Sequence, residues 1–243
     1  MNKEWIKAIL EYWNVAYYIG ALAIICQCIA LAGVIGYLRK RKEGLYFLIY
    51  IVTWLFDFTV TIFVSRYFKA VLKQTIAAEL ITETSGAIAS IVEFACFSYF
   101  FYKVLKFPRN INLIKIFAIV FIFPVALFFA KIFSGVSVAE VIHLSYLVSS
   151  ITLVLLVISC MLYYYELFKK DMTENLFRRP AFLITSSIFL YSILAIPFFL
   201  LLEEILELNR TAVRIGFVIH LSSFCLLFLS MTWAFRMNRS LTD

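Results

Sequence analysis

Long apolar runs alternate with short polar breaks along this chain. About 20 consecutive apolar residues cross the hydrocarbon core of a bilayer as a helix. Seven such runs occur, at residues 15–38, 45–64, 85–105, 113–133, 143–167, 181–203 and 215–235. Polar segments divide them, among them RKRKEG (Arg39–Gly44), KFPRNIN (Lys106–Asn112) and KKDMTENLFRRP (Lys169–Pro180). The pattern predicts an all-α integral membrane protein: one domain over residues 1–243, folded as a seven-transmembrane-helix bundle. Ahead of the first run, Trp5, Ile9, Tyr12 and Trp13 recur at helical spacing, which predicts a short N-terminal interfacial helix anchored by tryptophan. In the connection from Arg66 to Thr84, Phe68, Leu72, Ile76 and Leu80 stand four apart. That spacing predicts a helical extension or a surface helix.

Composition supports the membrane assignment. The chain is 64% hydrophobic and 15% charged, with a mean hydropathy of +0.95, more apolar surface than a soluble domain of this length can hide. The first run is too long for the apolar core of a cleavable signal, and positive charge follows it instead of preceding it. It is therefore expected to remain as the first helix. The net charge of +7 comes from Lys and Arg at the ends of apolar runs. That distribution speaks for topology and anionic lipid, not for nucleic acid.

The same charges orient the bundle. One set of connections, with Arg39–Lys42, Lys103–Lys115, Lys169–Arg179 and Arg236–Arg239, holds 14 Lys and Arg. The opposite set holds 8. The richer set is expected to be cytoplasmic, which puts the N-terminus outside and the C-terminus inside. The expected location is a bacterial inner membrane, as a multi-pass protein.

Five cysteines (Cys26, Cys28, Cys96, Cys160 and Cys225) all fall in apolar runs and read as small hydrophobes. No Cys/His spacing suggests a metal cluster. The two histidines lie on different helices without a local ligand pair, so no metal or other cofactor is expected.

Candidate chemistry lies inside the runs. Asp57, Glu93, His143 and His220 all fall within roughly 12 Å of the outer boundary, counting ~1.5 Å per residue. Thr53, Asp57 and Thr61 form one stripe. Ser90 shares a face with Glu93, and Gly216 and Ser223 share one with His220. Ser145, Ser149, Thr152 and Ser159 follow a face of the fifth run. Such groups normally face the bundle interior. Two readings stand. Glu93, Asp57, His220, Ser90, Thr53, Ser223 and His143 could line an outward-opening pocket for a small molecule, proton or cation. Alternatively, each pairs with a neighbour and fixes helix packing. Pro124 and Pro197 lie inside the fourth and sixth runs and mark possible kinks. On the cytoplasmic side, Lys169, Lys170, Glu174, Arg178 and Arg179 are candidates for contact with a signalling protein. The plainer reading is a solvated loop against anionic lipid.

Several enzyme and receptor classes fail on residues. The last run lacks the lysine that a retinal Schiff base requires. Two histidines are too few for a ceramidase-type zinc site, and no GxSxG, HExxH, rhomboid-type serine motif or P-loop occurs.

Two stretches carry a family resemblance. The first is Glu93-Phe94 followed by Tyr102 and Lys103. The second runs through Tyr163-Tyr164-Tyr165, Glu174-Asn175-Leu176, Pro180, Phe182, Ile184 and Tyr191, with His220 early in the last run. The chain resembles a family of uncharacterised seven-helix membrane proteins common in Bacteroidetes. It departs from that family at Leu183, where Trp is frequent, and near His220, where Ser stands for Asn. The resemblance covers the whole length in topology and about 60 residues in pattern. It implies proteins often encoded near sensor histidine kinases, and by association favours sensing. The expected function is a membrane sensor or signal-transducing module that passes a helix shift to a cytoplasmic partner. A small-molecule or ion transporter of 3+1+3 helix type, as in the SWEET carriers, is the alternative, and an intramembrane enzyme stands third.

Overall fold

The computed structural model describes residues 3–41, 44–64, 75–135, 137–169, 175–208, 210–237 and 241, and side chains for all of these except 3–17, 64, 75 and 201–214. Among the described residues there are seven α-helices: α1 (Lys3–Leu38), α2 (Leu45–Thr59), α3 (Thr75–Val104), α4 (Pro108–Phe133), α5 (Val138–Phe168), α6 (Pro180–Leu208) and α7 (Arg210–Arg236). A π-helical turn, Val60–Val64, prolongs α2, and a short 3₁₀ turn, Leu176–Arg178, precedes α6. No strand occurs among the described residues. Each of the seven, α2 together with its π turn, contains a stretch long and apolar enough to cross a membrane. Only helices or closed barrels satisfy all their backbone groups in hydrocarbon, so this is a multi-pass membrane protein with a seven-helix bundle.

Two elements differ from the hydropathy pattern. α1 runs unbroken from Lys3, so the expected interfacial helix is not a separate element. The anchoring side chains Trp5, Ile9, Tyr12 and Trp13 lie outside those described. α3 begins at Thr75 instead of near residue 85, because the helix continues through the polar stretch TETSG. This is the helical extension that the four-residue spacing of Ile76 and Leu80 predicts, whereas Phe68 and Leu72 lie outside the described residues.

The helices form a ring in the order α1–α2–α3–α5–α6–α7, which closes through an α1/α7 contact. α4 stands outside the ring against α5 and α3. Burial agrees: 61% of the apolar window of α3 is buried, against 22% for α4. Large side chains such as Phe56, Ile119, Phe123 and Trp233 point outward and are exposed, as lipid-facing positions should be. Small residues bring α1 close to α7. Ala23 and Ala30 are fully buried, and a Cβ at Gly33 would sit 3.5 Å from Thr232. Without a hydrophobic force between helices in lipid, such close approach is what dispersion needs.

Local chemistry sets the helix ends. Gly135, at φ +70°, stops α4 in the left-handed conformation that glycine adopts without a Cβ penalty. Ser137 caps α5 by accepting from the Glu140 amide at 3.4 Å. α4 opens on Pro108, with Phe107 at the cap position and no local side-chain cap. The missing acceptor comes from α5. Glu166 accepts from the Lys106 amide at 2.7 Å, the Phe107 amide at 2.9 Å and Asn110 Nδ2 at 2.9 Å. One buried carboxyl therefore fixes the α3–α4 turn to α5.

At the same end of the bundle, the end of the α1/α2, α3/α4 and α5/α6 connections, aromatic rings fill the interior. Phe47 meets Phe97, Phe100 and Phe235 at centroid distances of 5.5–6.2 Å. Tyr50 packs on Phe97 at 4.6 Å and on Phe228 at 5.6 Å. These rings are essentially without solvent exposure and form a plug.

Candidate functional site

Above the aromatic plug, toward the opposite end, five helices leave a cavity of about 220 Å³. α2 contributes Asp57 and, from its π turn, Thr61. α3 contributes Glu83 and Ser90, α5 contributes Ser145 and Ser149, and α7 contributes His220. Rings from Trp54, Phe58, Tyr146, Phe198, Phe199 and Phe217 complete the wall. π turns widen a helix locally and recur at functional sites. Pro197 removes an amide from the ladder of α6 just before Phe198 and Phe199, a further local loosening at the same level.

Hydrogen bonds tie the polar wall together across helices. Ser85 Oγ donates to Asp57 Oδ1 at 2.6 Å. Ser145 Oγ donates to Glu83 Oε2 at 2.6 Å. The Ser90 and Ser149 hydroxyls lie 2.9 Å apart, and the Ser90 carbonyl accepts from Thr152 Oγ1 at 3.5 Å.

His220 sits in an aromatic cage. Its ring stacks on Phe198 at 5.4 Å and 5°, meets Phe199 edge-on at 5.2 Å and lies 5.6 Å from Tyr191. The residue is 8% exposed, and among the described residues Nδ1 has no hydrogen-bond partner. A buried polar atom without a partner marks a place for water or a ligand. No family model, curated protein or solved structure matches this chain. The site therefore has to be read from its own geometry.

The residues singled out from the sequence separate into three groups. Asp57, Ser90 and His220 line the cavity. Glu93 and Ser223 are buried but lie off its wall. Glu93 is one helical turn deeper than Ser90 and only 1% exposed. The Trp54 indole is directed toward its carboxyl, yet among the described residues neither Trp54 Nε1 nor Glu93 Oε1 has a properly formed hydrogen bond, and nor does the Tyr50 hydroxyl. Glu93 thus belongs to a polar floor between cavity and plug, with Tyr50 and Tyr191 as electrostatic neighbours. Ser223 donates to the His220 carbonyl at 2.7 Å. Thr53 and His143 stand apart. Thr53 turns back on its own helix to the Ile49 carbonyl at 2.8 Å, and His143 is exposed.

Of the candidate partner-binding residues, Lys169 lies over the Tyr165 ring at 4.5 Å. Arg178 is exposed and Arg179 half-buried. Lys170 and Glu174 lie outside the described residues. The five cysteines are free thiols, with Cys28 exposed and the other four buried.

Sequence reasoning missed Thr82, Glu83 and Ser85, which belong to the polar wall. Their signal was the helical spacing of Ile76 and Leu80, which carries TETSG into the bundle on the same helix as Ser90.

Proposed function

We propose that this protein is a membrane receptor module that binds a small polar ligand in the cavity between α2, α3, α5, α6 and α7. The observation that carries this reading is the cavity itself. Two carboxyl side chains, a caged histidine and paired serines converge on about 220 Å³, and a plug of buried rings blocks the far end. A blind pocket with few polar groups and aromatic walls is the usual form of a small-molecule site. The ligand that suits it presents hydrogen-bond donors, such as amine or hydroxyl groups, to Asp57 and Glu83. Binding would press Trp54 against the floor at Glu93 and shift α3 or α7, whose far ends lie beside the basic connections. The resemblance to proteins encoded near sensor histidine kinases supports signalling by association, with the basic connections facing the cytoplasm of a bacterial cell.

A carrier is the second reading, favoured by one observation. Exchanging α1–α3 with α5–α7 maps the ring of contacts onto itself, with α4 outside as a linker. A 3+1+3 parallel repeat is one architecture that has this symmetry.

One experiment separates the two. Thermal shifts of purified protein against a panel of small amines, amino acids and polyols should yield a stabilising compound, lost in Asp57→Asn and His220→Phe. Proteoliposomes should then fail to accumulate that compound. Accumulation establishes the carrier, and a panel without any cavity-dependent hit overturns the pocket.

A further inference from the structure

A second concave feature lies on the outside of the ring, where α4 stands off from α3. It is a groove of about 540 Å³ lined by Phe94, Ala95 and Ser98 of α3, by Ala118 and Phe121 of α4 and by neighbouring apolar side chains. It shares no lining residue with the cavity described above. Among the described residues, no carboxylate lines it. Along α3 it extends from Ile91 to Tyr102, roughly 16 Å at ~1.5 Å per residue. That length matches one leaflet of a hydrocarbon core about 30 Å thick.

Charge is concentrated at one end. Lys115 forms part of the groove wall, and its Nζ lies 5.8 Å from the Tyr102 ring centroid. Lys103 Nζ lies 5.8 Å from that same ring and 5.3 Å from the ring of Tyr99. Tyr99 and Tyr102 stack at 6.4 Å and hold the two ammonium groups around one aromatic surface. A ring face attracts a cation, but two like charges around one ring repel each other unless an anion lies between them. The two tyrosine hydroxyls and Ser98 add donors at or beside the basic end.

We infer that this groove is a binding site for an anionic phospholipid, with one acyl chain lying between α3 and α4 and the phosphate held by Lys103 and Lys115. Three features argue for this occupant together: the apolar lining, the one-leaflet length and the paired lysines at a single end. A zwitterionic lipid fills the same groove but leaves the lysines facing a headgroup without net charge. A second copy of this chain brings its own lysines to the basic end. The site does not depend on the function of the inner cavity.

The test uses the full chain reconstituted in vesicles of equal parts phosphatidylglycerol and phosphatidylcholine, extracted gently and weighed by native mass spectrometry. The expected result is a one-phospholipid adduct in which phosphatidylglycerol exceeds phosphatidylcholine about 30-fold, at roughly fivefold per lysine. Lys103→Gln with Lys115→Gln should bring the two lipids to parity. Ala118→Phe, which fills the groove at an exposed position, should abolish the adduct of either lipid while the melting temperature stays the same. Equal retention of both lipids by the unaltered protein overturns the proposal. So does an adduct indifferent to Ala118→Phe, or a cross-link between two copies of the chain across Ala118.

Discussion

Ser85 on α3 and Asp57 on α2 are joined by a 2.6 Å hydrogen bond, with the serine hydroxyl as donor. It is a side-chain clasp between two helices, and it holds Asp57 at the cavity wall. Ser85→Ala removes the donor and leaves the carboxyl short of a partner. The expected cost is about 1–2 kcal/mol, read as a lowered melting temperature in detergent, while Ser85→Thr keeps the hydroxyl and stays near the original. Asp57→Asn retains an acceptor oxygen for Ser85. It should preserve the fold and cost ligand response. If Asp57→Asn melts far below Ser85→Ala, Asp57 serves packing and not recognition.

The Glu166 clamp makes the strongest stability prediction. Removing its carboxyl strands the buried Asn110 amide together with two part-buried backbone amides at the start of α4, and a buried donor left without a partner costs about 1–3 kcal/mol, a part-buried one less. Glu166→Ala is therefore expected to destabilise by about 2–3 kcal/mol in chemical unfolding. Asn110→Ala should cost much less, since the two amide bonds survive it. Equal effects from the two variants would show that the side-chain amide, not the backbone capping, carries the clamp.

How much of this was legible from residues alone depends on the range of each interaction. The seven spans were legible because hydrocarbon imposes a length and a polarity on every helix that crosses it. Asp57, Ser90 and His220 were legible as polar positions at one depth in apolar runs. Glu83 was not, because hydropathy opens the third span at residue 85 although the backbone is already helical from Thr75, and Ser85, at the edge of that span, is one polar residue among several. Glu93 and Ser90 share a face by spacing, yet the cavity floor falls between them, and only packing against Trp54 and Tyr50 fixes that level. Glu166 gave no signal because its partners lie 56 to 60 residues away and two of them are backbone amides, the same at every residue. The uncapped start of α4, with Pro108 after Phe107, is the local hint that some distant acceptor had to exist.

Gly216 and Phe198 allow a test of the histidine cage. A Cβ at Gly216 would stand 3.1 Å from the Phe198 ring, closer than ordinary contact, and that ring stacks on His220. Gly216→Ala should therefore cost up to about 1 kcal/mol through the displaced ring, even though alanine is otherwise the better helix former by a similar amount. In a Phe198→Ala background the clash is gone, and the same change should be neutral or stabilising. The sign reversal, read from melting temperatures of the four proteins, is the expected outcome. A constant effect in both backgrounds means that Phe198 does not press against α7.

The Ser90–Ser149 pair joins α3 to α5 within the cavity wall, with its hydroxyls 2.9 Å apart. Interhelical hydrogen bonds in membrane proteins contribute about 0.6 kcal/mol on average, because the separated helices also find partners. A double-mutant cycle with Ser90→Ala and Ser149→Ala should therefore give a coupling near 0.6 kcal/mol, measured by unfolding in detergent. Coupling near zero would mean that each hydroxyl satisfies itself elsewhere, Ser90 through the backbone or both through water in the cavity. Both residues also face the proposed ligand. The double alanine variant should keep a melting temperature close to that of the parent while losing most of the stabilisation by any compound that binds the cavity. Stability and recognition then separate at a single pair of hydroxyls. A packing role alone does not produce that separation, because the loss of a packing contact lowers the melting temperature with or without ligand.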